Sequence, residues 1–373
     1  MDQPIPPILP LVDLERQHAP LREAILAALA GIVDSGGFIG GPQVEAFEAE
    51  FRGYLDRRFC IGAANGTDAL AIAFEALGIG AGDEVIVPAV SFFATAEAVS
   101  LAGATPRFCD IDPGTANLDP ARIEVRITPR TRAIAAVHLY GQPAAMDSIL
   151  DIARRHGLAV VEDCAQAQGS RYRGRRVGAL GDIAAFSFYP SKNLGGIGDA
   201  GAIVTDDADL ARRCRMLASH GGTRRYEHLV VGHNSRLDAV QAAVLRLKLP
   251  HLDRWNAERR ALAALYRERL AGVPLELLAE LPEIEHAQHL FVVLVRDRDR
   301  VRDALRDRGI MADVHYPQAL PFVPAYAGLG HVAEEFPAAV RHADRCLSLP
   351  IFPGMREDEV DRVALALSEA VAA

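Results

Sequence analysis

The sequence predicts an α/β protein with a large, doubly wound, mostly parallel sheet of seven strands, followed by a smaller α+β domain. Three observations carry this prediction. Short apolar runs alternate with helical stretches over residues 1–245, the alternation changes near Trp255, and 373 residues are more than one small core needs. We expect a large domain over residues 1–250 and a small C-terminal domain over residues 251–373.

Each strand predicted in the large domain is a short apolar run. The seven runs lie near Phe59 to Ala63, Glu84 to Pro88, Thr105 to Asp110, Ala133 to His138, Ala159 to Glu162, Ala184 to Phe188 and Gly201 to Val204. Between them, apolar residues recur every three or four positions, which is typical of amphipathic helices. These crossover helices are predicted at Asp68 to Leu77, Ala94 to Leu101, Met146 to His156 and Asp207 to Ala218.

The C-terminal part shows a different order of elements. They are a long helix from about Trp255 to Leu270, a strand at Leu290 to Val295, a helix from Arg298 to Arg308 and a strand near Ala312 to His315. A further helix from Leu237 to Leu249 places apolar residues on one face, so we expect it to join the two parts. Pro250 is predicted to end it.

Composition excludes several functional classes. The formal net charge of -9 comes without a basic stripe, so neither a nucleic acid nor an anionic membrane is an expected partner. Five cysteines, an odd number without any C-x-x-C pair, indicate neither a disulfide framework nor a metal site. The proline-rich, acidic start from Met1 to Leu14 lacks the features of a signal peptide, and no run approaches 18 apolar residues. We expect a cytoplasmic protein without a membrane span.

The residues that indicate chemistry follow two predicted strands. Lys192 comes shortly after the strand that contains Phe186, and Asp163 ends the strand at Ala159 to Glu162. A lysine amine can form a Schiff base with the aldehyde of pyridoxal phosphate, and a carboxylate can keep the ring nitrogen of that cofactor protonated. The pair therefore suggests pyridoxal phosphate chemistry. Alternatively, Lys192 is a solvated residue of a glycine-rich loop, and Asp163 caps the next helix.

Three other positions have both a functional and a structural interpretation. Asn65-Gly66-Thr67-Asp68 joins a strand directly to a helix, so its backbone N–H groups could hold a phosphate, or it could be an ordinary helix cap. Phe92 could stack on a cofactor ring or belong to the core. Gln166 could bind a ring hydroxyl or lie in a turn. Tyr189, beside the lysine, could assist proton transfer or contact the substrate.

A set of motifs in a fixed order adds to this interpretation. The motifs are Gly40-Gly41-Pro42 before a helix at Val44 to Glu48, Asn65 to Leu70, Glu162 to Ala167, Phe186 to Lys192, Gly232 to Asp238, Gln241-Ala242-Ala243 and Leu347 to Pro350. Together they closely resemble the DegT/DnrJ/EryC1/StrS family of pyridoxal-phosphate-dependent sugar aminotransferases, over nearly the whole chain. The resemblance implies the aspartate aminotransferase type I fold.

Cofactor roles are carried over from the family position by position. The resemblance implies that Lys192 forms the Schiff base, that Asp163 pairs with the pyridine nitrogen, and that Phe92 stacks on the ring. The groups that it assigns to the phosphate are Gly66, Thr67, Ser187 and, from a neighbouring subunit, Asn234, while Gln166 would contact the ring hydroxyl side. A homodimer with shared active sites follows from the role of Asn234. Alternatively, Asn234 and Arg236 cap the helix that begins near Leu237.

The resemblance also implies the substrates. Glutamate would donate the amino group to a keto sugar carried on a nucleoside diphosphate, and the candidates for binding the sugar nucleotide are Tyr189, Arg224, Arg236 and Tyr316. Pro321 and Val323 replace a common histidine and a common glutamine, which puts the usual sugar contacts in doubt. The segments from Tyr226 to Arg236 and from Lys248 to Leu252 look most like those of members that aminate a 3-keto sugar, which favours a dTDP-linked 3-keto-6-deoxyhexose. A 4-keto sugar and a non-catalytic regulator that retains the cofactor are the alternatives, whereas Lys192 argues against the dehydratase branch, which has histidine there.

Overall fold

The computed structural model describes residues 8–224 and 226–373. They form twelve α-helices: α1 Leu14–His18, α2 Arg22–Ser35, α3 Pro42–Leu55, α4 Gly66–Ala76, α5 Ala94–Leu101, α6 Met146–His156, α7 Ala208–Ala218, α8 Ala239–Lys248, α9 Leu252–Arg269, α10 Arg298–Asp307, α11 Pro337–Arg345 and α12 Glu357–Ala372. Residues 1–7 of the proline-rich start lie outside the described residues.

The same residues form fifteen strands: β1 Phe59–Ala63, β2 Glu84–Pro88, β3 Thr105–Cys109, β4 Thr131–Val137, β5 Ala159–Asp163, β6 Arg171–Tyr172, β7 Arg175–Arg176, β8 Ile183–Ser187, β9 Gly201–Thr205, β10 Gly222–Arg224, β11 Glu227–His228, β12 Glu276–Leu277, β13 Ile284–Glu285, β14 Phe291–Leu294 and β15 Cys346–Leu349. All seven strands predicted for the large sheet are present, with ends displaced by at most two residues.

The large sheet has the strand order β1-β9-β8-β5-β4-β2-β3. The pairs among β3, β2, β4, β5 and β8 are parallel, whereas β9 runs antiparallel to both β1 and β8, so the sheet is mostly parallel as predicted. In the β5–β8 pair, Asp163 lies opposite Ala185. The carboxyl ends of these strands therefore bring Asp163 and Ser187 to the same edge of the sheet.

Helices cover both faces of the sheet, which explains why its strands are apolar at almost every position. Alternate strand residues enter different cores: Val85 and Val87 pack with α4, α5 and α7 on one face. Ile86 packs with α6 on the other face, where α3 and α8 cover the β8 and β9 end of the sheet. This two-residue alternation is expected of a strand buried on both sides.

The C-terminal part has a three-stranded antiparallel sheet of order β12-β14-β15. A separate apolar cluster joins this sheet to α9, α10 and α12 and includes Leu9 from the N-terminal side. Strand β6, which precedes residue 250, and strand β13, which follows it, also form an antiparallel pair. A boundary at residue 250 stays a prediction.

One prediction about the C-terminal elements is wrong. Ala312 to His315 is not a strand: only Asp313 makes a bridge, to Ser348. The Asp313 carboxylate accepts a hydrogen bond from Val314 N at 2.7 Å, which competes with strand pairing. The helix predicted from Leu237 to Leu249 is α8, which ends at Lys248, just before Pro250 as predicted; Pro250 lies in a 3-10 turn, Leu249–His251, that leads directly into α9.

Several helices of the described chain have no counterpart in the predictions. These are α1, α2, α11 and α12, at the two ends of the chain. The apolar face of α2 is narrow, because this helix buries Ile25 and Ile32 alone. Within residues 8–224 and 226–373, no helix is both long and apolar enough to cross a membrane.

Candidate active site

A cavity of about 950 Å³ opens at the sheet edge where β5 and β8 end. The sequence-predicted residues that line it are Gly66, Thr67, Phe92, Asp163, Gln166, Ser187, Tyr189, Lys192 and Tyr316. They come from the start of α4, the loops after β2, β5 and β8, and the segment before the 3-10 turns of the C-terminal part. The fold thus brings together residues that are up to 250 positions apart, Gly66 and Tyr316.

The loop that carries Lys192 is closely packed. A Cβ atom on Gly195 would lie 2.3 Å from Pro190 O, so the chain folds back on itself without space for a side chain. Gly196 N donates to Phe188 O at 2.8 Å, and the buried Lys248 ammonium donates to Gly195 O at 2.5 Å. The glycines therefore provide close contacts, and the alternative of a solvated, flexible loop is wrong.

Burial in this loop changes the chemistry of Lys192. Desolvation lowers the pKa of its amine from 10.5 to about 8, and the Asp163 carboxylate acts in the opposite direction. Roughly a tenth of the amine is therefore neutral at pH 7, far more than for an ordinary lysine. A neutral amine can attack an aldehyde or accept a proton from carbon, which a permanently charged lysine cannot do.

Asp163 ends β5 with its carboxylate held on both oxygens. Thr95 Oγ1 donates to Oδ2 at 2.7 Å, and Ala165 N donates to Oδ1 at 3.0 Å. Ser91 Oγ lies 2.8 Å from Thr95 Oγ1. The single Thr95 hydroxyl hydrogen points to Asp163, so Ser91 is the donor in that second contact. Asp163 does not cap a helix; it is buried and presented to the cavity.

The turn from Asn65 to Asp68 has the geometry of a helix N-terminus. Asn65 is the N-cap of α4, and its Oδ1 accepts from Asp68 N at 2.8 Å. A Cβ on Gly66 would lie 2.6 Å from Ser187 Cβ, so glycine allows the start of α4 to lie directly against the end of β8. The helix N-terminus and the Ser187 hydroxyl together form a cradle that is suited to a phosphate.

Gln166 links the sheet edge to the C-terminal part. Its Oε1 accepts from Tyr140 N at 2.6 Å, and its Nε2 donates to the Tyr316 hydroxyl at 2.9 Å. The Tyr316 ring lies 5.7 Å from the ring of Phe92, centroid to centroid. Phe92 is 55% exposed, so it is a cavity wall residue and not part of the core.

Other functional positions were missed by the sequence predictions. Ser91, His289, Asp313 and His315 also line the cavity, and Thr95 lies behind Asp163. Burial holds the pKa of His289 well below its usual value, and its Nδ1 lies 3.0 Å from Asn193 Oδ1. Thr95, His289 and His315 contact residues that are 33 to 96 positions away, so no local pattern marks them.

Three predicted residues do not line the cavity within this chain. Asn234 and Arg236 are exposed, and neither caps α8, whose N-cap is Asp238. The helix-cap alternative for them is therefore wrong. Arg224 lies in β10 and lines a different cavity, of about 600 Å³, together with Arg212 and Arg215.

One buried group of described residues, His138, Glu162 and Cys164, has the spacing of metal ligands. Its donors are already engaged. His138 Nδ1 accepts from Ala144 N at 3.0 Å, so Nε2 carries the proton that it donates to Glu162 Oε2, also at 3.0 Å. The Glu162 carboxylate further accepts from the amides of Gly178, Leu180 and Gly181. These hydrogen bonds link the residue after β4 and strand β5 to the loop that precedes β8.

Comparison with known proteins decides the family. The sequence pattern of the DegT/DnrJ/EryC1/StrS aminotransferase family matches residues 20–368. The chain belongs to this family. A dTDP-3-amino-3,4,6-trideoxy-alpha-D-glucose transaminase of Streptomyces venezuelae is 48% identical over 97% of this chain and 96% of the relative. A UDP-N-acetyl-3-dehydro-alpha-D-glucosamine 3-aminotransferase of Acidithiobacillus ferrooxidans is 46% identical over 96% of this chain and 97% of the relative.

Solved structures confirm the aminotransferase fold. The crystal structure of DesV of S. venezuelae in complex with a ketimine intermediate superimposes with a TM-score of 0.95 at 48% identity, covering 97% of this chain and 98% of DesV. The structure of a Bacillus subtilis relative at 35% identity holds the cofactor PMP. Family membership and this neighbour imply dependence on pyridoxal phosphate, of which PMP is the form that carries the amino group.

Proposed function

We propose that this aminotransferase transfers an amino group from glutamate to a nucleotide-linked keto sugar. The observation that carries the proposal is the single cavity in which a lysine with a lowered pKa, a doubly held carboxylate and a phosphate cradle lie together. Each of these groups matches one part of the cofactor. The Lys192 amine matches the aldehyde, the Asp163 carboxylate matches the ring nitrogen, and the N-terminus of α4 matches the phosphate.

The roles of the residues follow from this arrangement. When bound, pyridoxal phosphate supplies an electron sink that makes the α-carbon of an attached amine acidic. Asp163, held by Thr95 and Ala165 N, keeps the ring nitrogen protonated. Gly66, Thr67 and Ser187 would hold the phosphate. Lys192 would bind the aldehyde, and its neutral amine would accept and return a proton at carbon.

The sugar is proposed to be a dTDP-linked 3-keto-6-deoxyhexose. Both relatives described above are named for an amino group at C3, and the more similar one is named for a dTDP sugar. A 4-keto sugar is the alternative. The residues proposed to bind the sugar nucleotide include Tyr189 from the Lys192 loop and, from a second subunit, Arg224 and Arg236.

The charge of the cavity supports a homodimer with shared sites. Asp68, Glu97, Asp199 and Asp313 line it beside Asp163, whereas Lys192 is the one lysine or arginine among the described lining residues. A cofactor phosphate and a nucleoside diphosphate need more positive charge than this. Arg224, Asn234 and Arg236 are exposed near apolar residues, including the 95% exposed Val231, as expected for a surface that a second copy covers.

Mixing two inactive variants tests the shared site. Lys192→Ala and Asn234→Ala subunits damage different halves of each site, so a heterodimer contains one intact site. We expect each parent to have little activity and a coexpressed mixture to recover about one quarter of the wild-type activity. A mixture no more active than its parents, or a monomer that retains cofactor at micromolar concentration, would contradict the shared site.

Two half-reactions test the function itself. Excess glutamate should remove the visible absorbance of the purified protein, and a nucleotide-linked keto sugar should restore it. A panel of dTDP- and UDP-linked 3-keto and 4-keto sugars then identifies the substrate, and restoration by 4-keto sugars alone would overturn the 3-keto proposal. An absorbance band that glutamate leaves unchanged would favour the regulatory alternative.

We also place the protein in the cytoplasm. All five cysteines are buried as free thiols, which is typical of a reducing compartment. A fluorescent fusion that localises to the cell envelope would contradict this placement.

A further inference from the structure

We propose that the Tyr316 hydroxyl is a hydrogen-bond donor to the ring oxygen of the cofactor, and so tunes its Schiff base. This inference rests on the proposed function and changes the role of Tyr316 from sugar contact to cofactor contact. Hydrogen-bond directions around Gln166 and Tyr140 support it, because they are fixed by groups that can only donate or only accept.

The first step is the orientation of Gln166. A backbone N–H can only donate, so the atom of Gln166 that faces Tyr140 N at 2.6 Å must be the amide oxygen. The amide nitrogen then faces the Tyr316 hydroxyl at 2.9 Å and donates to it. Tyr316 is therefore an acceptor in this contact, and its own hydrogen is not used there.

The second step is the anchoring of the segment that carries Tyr316. The Tyr140 hydroxyl donates to the backbone carbonyl of His315, the residue before Tyr316. His342 Nε2 lies 2.8 Å from the same hydroxyl and must donate to it, because the one Tyr140 hydrogen is already used. Burial lowers the pKa of His342 to about 4, which keeps this histidine neutral.

Two hydrogen-bond chains start from Tyr140, and the second ends at the Tyr316 hydroxyl. Donation runs from His342 to Tyr140 and on to His315 O, while the Tyr140 amide orients Gln166, which donates to Tyr316. Within the described part of the chain, the Tyr316 hydroxyl has no acceptor. The end of the second chain is therefore a hydroxyl hydrogen available to whatever occupies the cavity that Tyr316 lines.

The position of Tyr316 indicates that its hydroxyl faces the cofactor and not the sugar. Gln166 is the residue proposed to contact the ring hydroxyl side, and Tyr316 lies at hydrogen-bond distance from its amide. The ring of Tyr316 also lies next to Phe92, the residue proposed to stack on the cofactor ring. Burial raises the pKa of Tyr316 above its ordinary value, so the hydroxyl stays protonated and can donate across the working pH range.

A donor at the ring oxygen has a spectroscopic signature. The negative ring oxygen favours the protonated Schiff base, and a donor that shares this charge lowers the pKa of the Schiff base. Tyr316→Phe removes the hydroxyl and keeps the ring. We expect the pH midpoint of the visible band in the holoprotein to rise by about one to two units, the shift that a hydrogen bond to a charged group gives.

The control is Tyr189→Phe, which removes another hydroxyl from the cavity wall and should leave this midpoint within about 0.3 units of wild type. The KM for the nucleotide-linked keto sugar is measured for both variants. An unchanged midpoint in Tyr316→Phe, with a raised KM for the sugar, would overturn the proposal and assign Tyr316 to the substrate. Absence of any visible band in the wild-type protein would instead sink the proposed function.

Discussion

Thr95 Oγ1 donates a hydrogen bond to Asp163 Oδ2 at 2.7 Å, from helix α5 to the end of strand β5. Both residues are buried, and Ser91 donates in turn to Thr95. This contact orients the carboxylate at the bottom of the cavity. A carboxylate that accepts a hydrogen bond on each oxygen points in one direction, which is what pairing with a protonated ring nitrogen requires.

We predict that Thr95→Val weakens cofactor binding. Valine has nearly the shape of threonine but lacks the hydroxyl, so Asp163 loses a charge-assisted hydrogen bond of about 1.5–3 kcal/mol. The affinity for pyridoxal phosphate, measured by titration of the apoprotein, should fall about tenfold or more. Thr95→Ser retains the hydroxyl and should bind nearly as wild type. Equal affinities in the two variants would show that the contact does not serve the cofactor.

Gly66 is predicted to be irreplaceable in the phosphate cradle. Gly66→Ala would place a Cβ 2.6 Å from Ser187 Cβ and 3.1 Å from Ser187 Cα, so the start of α4 must move away from β8. We expect at least about a tenfold loss of cofactor affinity.

Gly53→Ala is the matched control, because nothing lies within 4 Å of its Cβ and it lies in helix α3. It should stabilise the protein by about 0.5–1 kcal/mol. Equal cofactor affinities in both variants would exclude the cradle.

Glu162 is predicted to stabilise the fold and not to bind a metal. Burial alone would raise the pKa of its carboxyl, but hydrogen bonds from His138, Gly181 and Gly178 hold it below the ordinary value. Glu162→Gln turns an acceptor into a donor against these N–H groups, so we expect a loss of about 2–4 kcal/mol in urea unfolding at pH 7. The exposed Glu50→Gln, which faces Arg246, should change stability by less than about 0.5 kcal/mol.

The direction of the Glu162 pKa shift also sets a pH dependence. A carboxyl with a lowered pKa in the folded state contributes stability above its unfolded pKa, about 4.3, and loses it as pH falls through the folded value. The difference between wild type and Glu162→Gln should therefore shrink in acid. A difference that stays constant down to pH 3, or a stabilisation of wild type by added zinc, would contradict this role.

Lys192 is predicted to set the pH profile of cofactor uptake. Its pKa is lowered to about 8, so the neutral amine that attacks the aldehyde accumulates as pH rises through that value. The rate at which apoprotein develops visible absorbance after adding pyridoxal phosphate should rise with pH and level off above about 8. A rate that continues to rise toward 10.5, the ordinary lysine value, would show that the amine is not desolvated.

The large sheet could be predicted from sequence because its strands are short, fully apolar and separated by amphipathic helices. β1 and β2 have the predicted ends, and β5 and β8 end within a residue of them. The predicted ends of β5 and β8 placed Asp163 and Ser187 at the same edge of the sheet, since parallel strands place their carboxyl ends together. The sequence motifs extended this to Gly66 and Gln166.

The remaining site residues depend on contacts that sequence spacing does not encode. Thr95 is one of three polar residues in the alanine-rich helix α5, and its partner Asp163 lies 68 positions away. Tyr316 belongs to a segment predicted to follow a strand, but the Asp313 side chain interrupts strand pairing there. The tight packing of the Lys192 loop depends on Lys248 from helix α8. Such contacts appear only when the elements are assembled.

The most direct test of the central claim is to locate the cofactor bond. Reducing the purified protein with borohydride should fix a Schiff base permanently, and peptide mass spectrometry should then find the pyridoxyl group on Lys192. The same treatment of Lys192→Ala should leave no modified peptide and no transaminase activity. A label on another lysine, or a Lys192→Ala protein that still transfers amino groups, would contradict the account.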